Sequence, residues 1–86
     1  MTWQIARFDN LKSELTYFLE ENGIKDFFGV EGPERGSKIC SVIVKHEEVE
    51  NIKKLHGKSN GLHEFYFSCK WWLDTTAKFV VNCKKI

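Results

Sequence analysis

The alternation between Glu64 and Leu73, matched by a second alternating run near the end of the chain, constrains this sequence more than any other feature. Phe65, Phe67, Cys69, Trp71 and Leu73 point one way, and Glu64, Tyr66, Ser68, Lys70 and Trp72 point the other. Downstream, Phe79, Val81 and Cys83 share one face, with Val80, Asn82 and Lys84 on the reverse. The two runs read as a hairpin. A one-residue slip would put their apolar sets on opposite faces, so alternation specifies the pairing strongly. A loop at Thr75-Thr76-Ala77 pairs Leu73 with Phe79, Trp71 with Val81, and Cys69 with Cys83, with Trp72 opposite Val80 and Lys70 opposite Asn82. The face holding Phe67, Trp71, Phe79 and Val81 is then expected in the core, where Trp71→Ala would cost about 3–5 kcal/mol through the cavity it leaves.

Upstream, the apolar period changes. Leu11, Leu15, Phe18 and Leu19 fall on one face of a helix over residues 10–22, with Asp9 or Asn10 as its cap. Gly23 suits the left-handed position that ends a helix, and Ile24 can pack back on the last turn. Trp3, Ile5 and Arg7 alternate as a short additional N-terminal strand would. Residues 26–45 read as a hairpin whose turn is Gly32-Pro33-Glu34-Arg35-Gly36. The arm from Lys38 to Val44 is apolar on both faces, which predicts a central strand covered at least partly on both sides. A short helix over residues 46–56 carries Val49, Ile52 and Leu55 as its stripe. Its glutamates come first and its lysines last, which complements the helix dipole. Gly57 to Gly61 reads as a mobile loop.

The expected fold is therefore a single α+β domain over residues 1–86, in the order α-β-β-α-β-β. It has an antiparallel sheet of about four strands, two helices packed on one face, and room for an extra N-terminal strand. With 86 residues, such a chain buries about 60–65% of its unfolded surface, enough for one small core. No apolar run of about 20 residues is present to span a membrane. The first residues lack the charge and apolar stretch of a secretory signal, and the three cysteines have no framework spacing. These features set a reducing, cytoplasmic location as the expectation.

Motifs that carry chemistry are tested and found incomplete. Gly57-Lys58-Ser59 ends like a phosphate-binding loop, but Ile52 stands where the pattern needs its first Gly, and a helix precedes it instead of a strand. His46-Glu47-Glu48-Val49-Glu50 starts like a zinc-protease helix, but Glu50 stands where the second His belongs. Cys40, Cys69 and Cys83 lie on three strands with no Cys-x-x-Cys knuckle, so free buried thiols are the plainer expectation than zinc ligands. No Ser, His or Cys sits in a nucleophile motif, and adjacent carboxylates such as Glu20 and Glu21 splay around a helix. The expectation is a protein with no catalytic residues, no metal and no cofactor.

What is left is a surface. Tyr66, Lys70, Trp72, Asn82 and Lys84 share the second face of the last hairpin and are the candidate partner-binding residues. Trp and Tyr on a rigid strand bury much area for little entropy, and lysines beside them meet carboxylates or phosphates. The first reading is a small non-enzymatic module that binds a larger protein, as an inhibitor or adaptor. Chains of this size without catalytic constellations are often encoded by phages or plasmids, which is an expectation from size class. The alternative is a single-stranded nucleic-acid binder using aromatic and lysine side chains. Residues 51–86 carry seven basic and two acidic residues, which favours that alternative. Glu64-Phe65-Tyr66-Phe67 lacks the Gly and leading cation of the RNA-recognition signature, which opposes it.

Overall fold

The computed structural model describes residues 2–33 and 37–86, with side chains from position 11 onward. Among these residues, two helices and four strands follow in the order α1 (Thr2–Glu21), β1 (Phe27–Glu31), β2 (Ile39–Lys45), α2 (Val49–Leu55), β3 (His63–Trp72) and β4 (Thr76–Lys85). A 3-10 turn, His46–Glu48, leads into α2. The strands form one antiparallel sheet in the spatial order β1-β2-β4-β3. Positions 3–7, expected as a strand, belong to α1, and Asp9 and Asn10 lie inside that helix instead of capping it. Most of the Gly32–Gly36 turn falls outside the described residues.

Both helices lie on one face of the sheet. Leu11, Leu15, Phe18 and Leu19 of α1 and Val49, Ile52 and Leu55 of α2 pack on Cys40, Val42 and Val44 of β2, Phe65 and Phe67 of β3, and Ala77, Phe79, Val81 and Cys83 of β4. The Phe18 and Phe65 rings stack with centroids 4.7 Å apart. The end of α1 shows why Gly and Ile follow it. Gly23, at φ +82°, donates to Glu20 O at 3.1 Å, and Ile24 donates to Leu19 O at 3.0 Å. This pair of bonds satisfies the last carbonyls, and Ile24 returns buried against the core.

The final hairpin departs from its expected pairing by four residues. Phe65 lies opposite Cys83, Phe67 opposite Val81, and Cys69 opposite Phe79, with Leu73-Asp74-Thr75 as the loop. Alternation permits any even shift, because each keeps the apolar sets on one face. The helices choose among them, and they cover Phe65 and Phe67 and leave residues 69–73 exposed. Trp71 is therefore no core residue. It is 37% exposed and, beyond a bulge at Lys70, stands opposite Lys78.

The 3-10 turn supplies a joint that periodicity did not reveal. Glu48 is buried, and its carboxylate accepts from the backbone N–H groups of Lys25 and Asp26 and from Asn51 Nδ2. It thereby fastens the α1–β1 connection to the start of α2. Donation by the Asn51 amide, helped by the two backbone N–H groups, holds its ionisation below the usual carboxylate range despite burial.

Nor is the segment after α2 a free loop. Gly57 N–H donates to Phe65 O at 2.7 Å, Phe65 N–H to Lys58 O at 2.9 Å, and Ser59 bridges Glu64. His56 Nδ1 lies 2.9 Å from Phe67 N and 3.0 Å from Phe67 O, so the ring occupies the outward backbone groups of Phe67. Residues 56–60 thus cover the outer edge of β3 along its first half, where an unpaired row would invite another chain.

Two outcomes check this packing. In urea titrations, Phe65→Ala should cost about 3–5 kcal/mol and Trp71→Ala under about 1 kcal/mol; the reverse ranking would refute the register. Glu48→Gln should cost about 1–3 kcal/mol, because an amide nitrogen would face buried N–H donors. A depressed folded-state carboxylate contributes its stability in full above its unfolded value, near 4.5, and loses it as pH falls toward the folded value. The wild-type protein should therefore lose stability through that acid window faster than Glu48→Gln does, measured by urea midpoints between pH 6 and pH 2 (about four pH units across the carboxylate range).

Candidate partner-binding face

Among the described residues, no helix lies on the second face of the sheet. Odd residues of β2 and even residues of β4 project there, joined by β1 at one margin and β3 at the other. The register sets its rows. Phe28, Ile43, Lys78 and Trp71 form one row across all four strands. Glu31, Ser41, Val80 and Ser68 form the next, followed by Ile39, Asn82 and Tyr66, and then by Lys84 with Glu64. Ile39 is 51% exposed and Phe28 48%, while Ile43 and Val80 are half-buried. The two-sided apolarity of β2 is real, but only its Cys40, Val42 and Val44 side is covered. The expectation of cover on both sides is corrected accordingly.

Three of the five expected site residues come together. Tyr66 lies opposite Asn82, and Lys84 Nζ sits 5.6 Å from the centroid of the Tyr66 ring. The Tyr66 hydroxyl donates to Glu64 Oε1 at 2.8 Å, and that bond to a carboxylate pushes the phenol's ionisation up. Lys84 and Glu64, directly opposed across the strands, place opposite charges at this end of the face.

The other two do not join them as expected. Between Cys69 and Trp71, β3 advances two residues while β4 advances one, so Lys70 is the extra residue of a bulge. Lys70 is exposed at that bulge and does not pair with Asn82. Past it, strict alternation is reset. Trp72 falls opposite Ala77, whose side chain is in the core, so Trp72 turns to the helix-covered side. There its ring lies against His46, with centroids 4.8 Å apart, and His46 Nε2 bonds Thr76 O at 3.0 Å. Trp72 remains 54% exposed, because neither helix reaches the hairpin tip. Its place on the open face is taken by Trp71.

The residues that sequence reasoning missed here are Phe28, Ile39, Ile43, Lys78, Val80 and Trp71. Lys78 and Val80 belong to the face that alternation in the last hairpin marks, Trp71 reaches it through the bulge, and the open side of β2 and Phe28 of β1 extend the face beyond that hairpin. The three cysteines do not converge. Cys69 is exposed opposite Phe79, whereas Cys40 and Cys83 are buried together on adjacent strands. Among the described residues, no three His, Cys, Asp or Glu side chains cluster to hold a metal ion, and no helix is long and apolar enough to cross a membrane.

Deletion of Lys70 should remove the bulge and leave Trp71 opposite Lys78 and Trp72 opposite Ala77. In nuclear Overhauser spectra, the Trp72 indole should therefore connect with His46 in the wild type and in the deletion alike. Transfer of that contact to Lys78 in the deletion would refute Lys70 as the extra residue.

Comparison of this chain with protein-family models, with curated proteins and with solved structures finds no match.

Proposed function

We propose that this protein is a small non-enzymatic binding module that occupies a larger protein partner through its open sheet face, acting as an inhibitor or adaptor in the cytoplasm. The observation that carries the reading is the composition of that face. Its two middle strands present Ile39, Ile43 and Val80 interleaved with Ser41, Lys78 and Asn82, and its margins hold Phe28 and Trp71. Protein interfaces favour such a patch, apolar side chains and aromatic anchors among polar groups, with Glu31 and Lys84 toward its edge.

Nucleic acid fits the same face less well. A base-stacking platform needs aromatic rings near enough for successive bases. Here Phe28 and Trp71 stand on opposite outer strands, about 14 Å apart at the usual strand spacing. The strands between them offer Ile43 and Lys78 in that row, and an aliphatic side chain gives a base little to stack on. The lysines of β4 still supply the electrostatic part of such binding, so the two readings are separated by experiment.

Ile39→Lys changes an exposed side chain and should leave the fold intact. Affinity capture from native lysate should retain a specific protein on the wild type and lose it, by about tenfold or more in affinity, on Ile39→Lys. Fluorescence anisotropy with labelled single- and double-stranded DNA and RNA should show no binding at physiological salt. Binding that weakens steeply with salt and disappears in Lys78→Glu with Lys84→Glu would instead establish the nucleic-acid reading.

A further inference from the structure

Beneath the open face, on its covered side, β2 and β4 bring two thiols together at the end of the sheet away from the β3–β4 turn. Cys40 lies opposite Val81, so Cys83, two residues on, is its diagonal neighbour on the same face. The ladder continues past this point, with Cys83 N–H donating to Lys38 O at 2.9 Å. Both thiols are free, and each is 1% exposed. The Cys83 S–H stabilises a thiolate on Cys40 and brings it below the usual thiol range, while Cys83, facing that thiolate, is pushed up.

We propose that Cys40 and Cys83 form a reversible disulfide across β2 and β4, and that its closure reshapes one end of the open face. The oxidant is a low-molecular-weight disulfide such as oxidised glutathione. The Cys40 thiolate attacks one sulfur of it, forming a mixed disulfide and releasing one small thiolate. The Cys83 sulfur, its proton passing to that thiolate, then attacks Cys40 Sγ and displaces the second small thiolate, which takes up the proton released when Cys40 ionised. Two protein thiols lose two electrons and two protons, and one small disulfide becomes two thiols.

Geometry makes this bond a labile one. Diagonal neighbours in an antiparallel pair stand about 7–8 Å apart, and disulfide-linked Cα atoms usually lie within about 6.8 Å. Closure must shift β2 and β4 along each other at this end, and a disulfide formed under strain is readily reduced. Ile39, Asn82 and Lys84 flank these cysteines in sequence and project to the open face, so they move when the strands do. Entry of the oxidant requires the sheet to open locally at this end, near the start of β2. Cys69 is exposed but opposite Phe79, so it accepts a mixed disulfide and cannot close a ring with these two thiols. The link to partner binding rests on the reading of the open face above, and the thiol chemistry does not.

The test uses the folded Cys69→Ser protein equilibrated with oxidised and reduced glutathione, quenched in acid, unfolded, alkylated and weighed intact. The expected product under oxidising conditions carries no alkyl group and is lighter than the reduced, unalkylated protein by two hydrogens. Dithiothreitol reverses it, and adding Cys40→Ser or Cys83→Ser abolishes it. Amide spectra of the oxidised form should shift at Ile39 and Lys84 and stay unchanged at Phe28. Alkylation of both thiols, or a stable glutathione adduct without ring closure, would overturn the switch. Closure with Ile39 and Lys84 unmoved would overturn its link to the face. Neither failure bears on the partner-binding reading, which stands or falls with the Ile39→Lys capture.

Discussion

The pairing of β2 with β4 is the contact on which the other features depend. It runs without a break from Ile39 opposite Asn82 to Lys45 opposite Thr76. Each hairpin alone would be a two-stranded ribbon of marginal stability in water. Joined through their inner strands, they make one surface wide enough for two helices. That junction also fixes which side chains meet across it. Val42 comes opposite Phe79 and Val44 opposite Ala77 on the covered side, while Ser41 comes opposite Val80 and Ile43 opposite Lys78 on the open side.

Closing the sheet's margins takes polar chemistry where apolar periodicity is silent. Glu48 lies buried at the joint between α1 and β1, accepting from the N–H groups of Lys25 and Asp26. An ionised carboxylate in that position is tolerated because its donors replace the water it has lost. At the opposite margin, the backbone of Gly57 and Lys58 and the ring of His56 occupy Phe65 and Phe67 on the outer edge of β3. On α1, Glu14 Oε1 reaches both His63 Nδ1, at 3.2 Å, and Asn60 Nδ2, at 3.1 Å, and so ties this covering segment back to the helix. The part of β3 left uncovered is the bulged part, and a bulge itself discourages edge-to-edge pairing.

The bulge explains how a reading can place a strand correctly and still reverse the facing of its side chains. Alternation assigns Trp71 inward and Trp72 outward, and one extra residue at Lys70 reverses both. Tyr66, Asn82 and Lys84 precede the bulge or lie on the regular strand, so their facing follows from the period alone. No local signal distinguishes Lys70 from its neighbours. The bulge arises because the turn at Leu73-Asp74-Thr75 and the pairs up to Cys69 differ in register by one residue. The same reasoning applies to Glu48. Beside Glu47 and Glu50 it reads as one of several first-turn acids, and only the arrival of Lys25 and Asp26 from a distant segment makes it a buried anchor.

The sequence by itself determined the α+β class, the helical stripes at Leu11–Leu19 and Val49–Leu55, the Gly23 stop, and the parity of the alternating strands. These are local properties, because the helical and strand periods and the conformational freedom of glycine act over a few residues. Tertiary structure decided the choice among even registers, the uncovered side of β2, the exchange of Trp71 for Trp72, and the meeting of Cys40 with Cys83. Each depends on which segments lie over or beside which. A two-residue period is unchanged by a shift of two or four, and an apolar residue carries no mark of whether a helix or a partner will cover it.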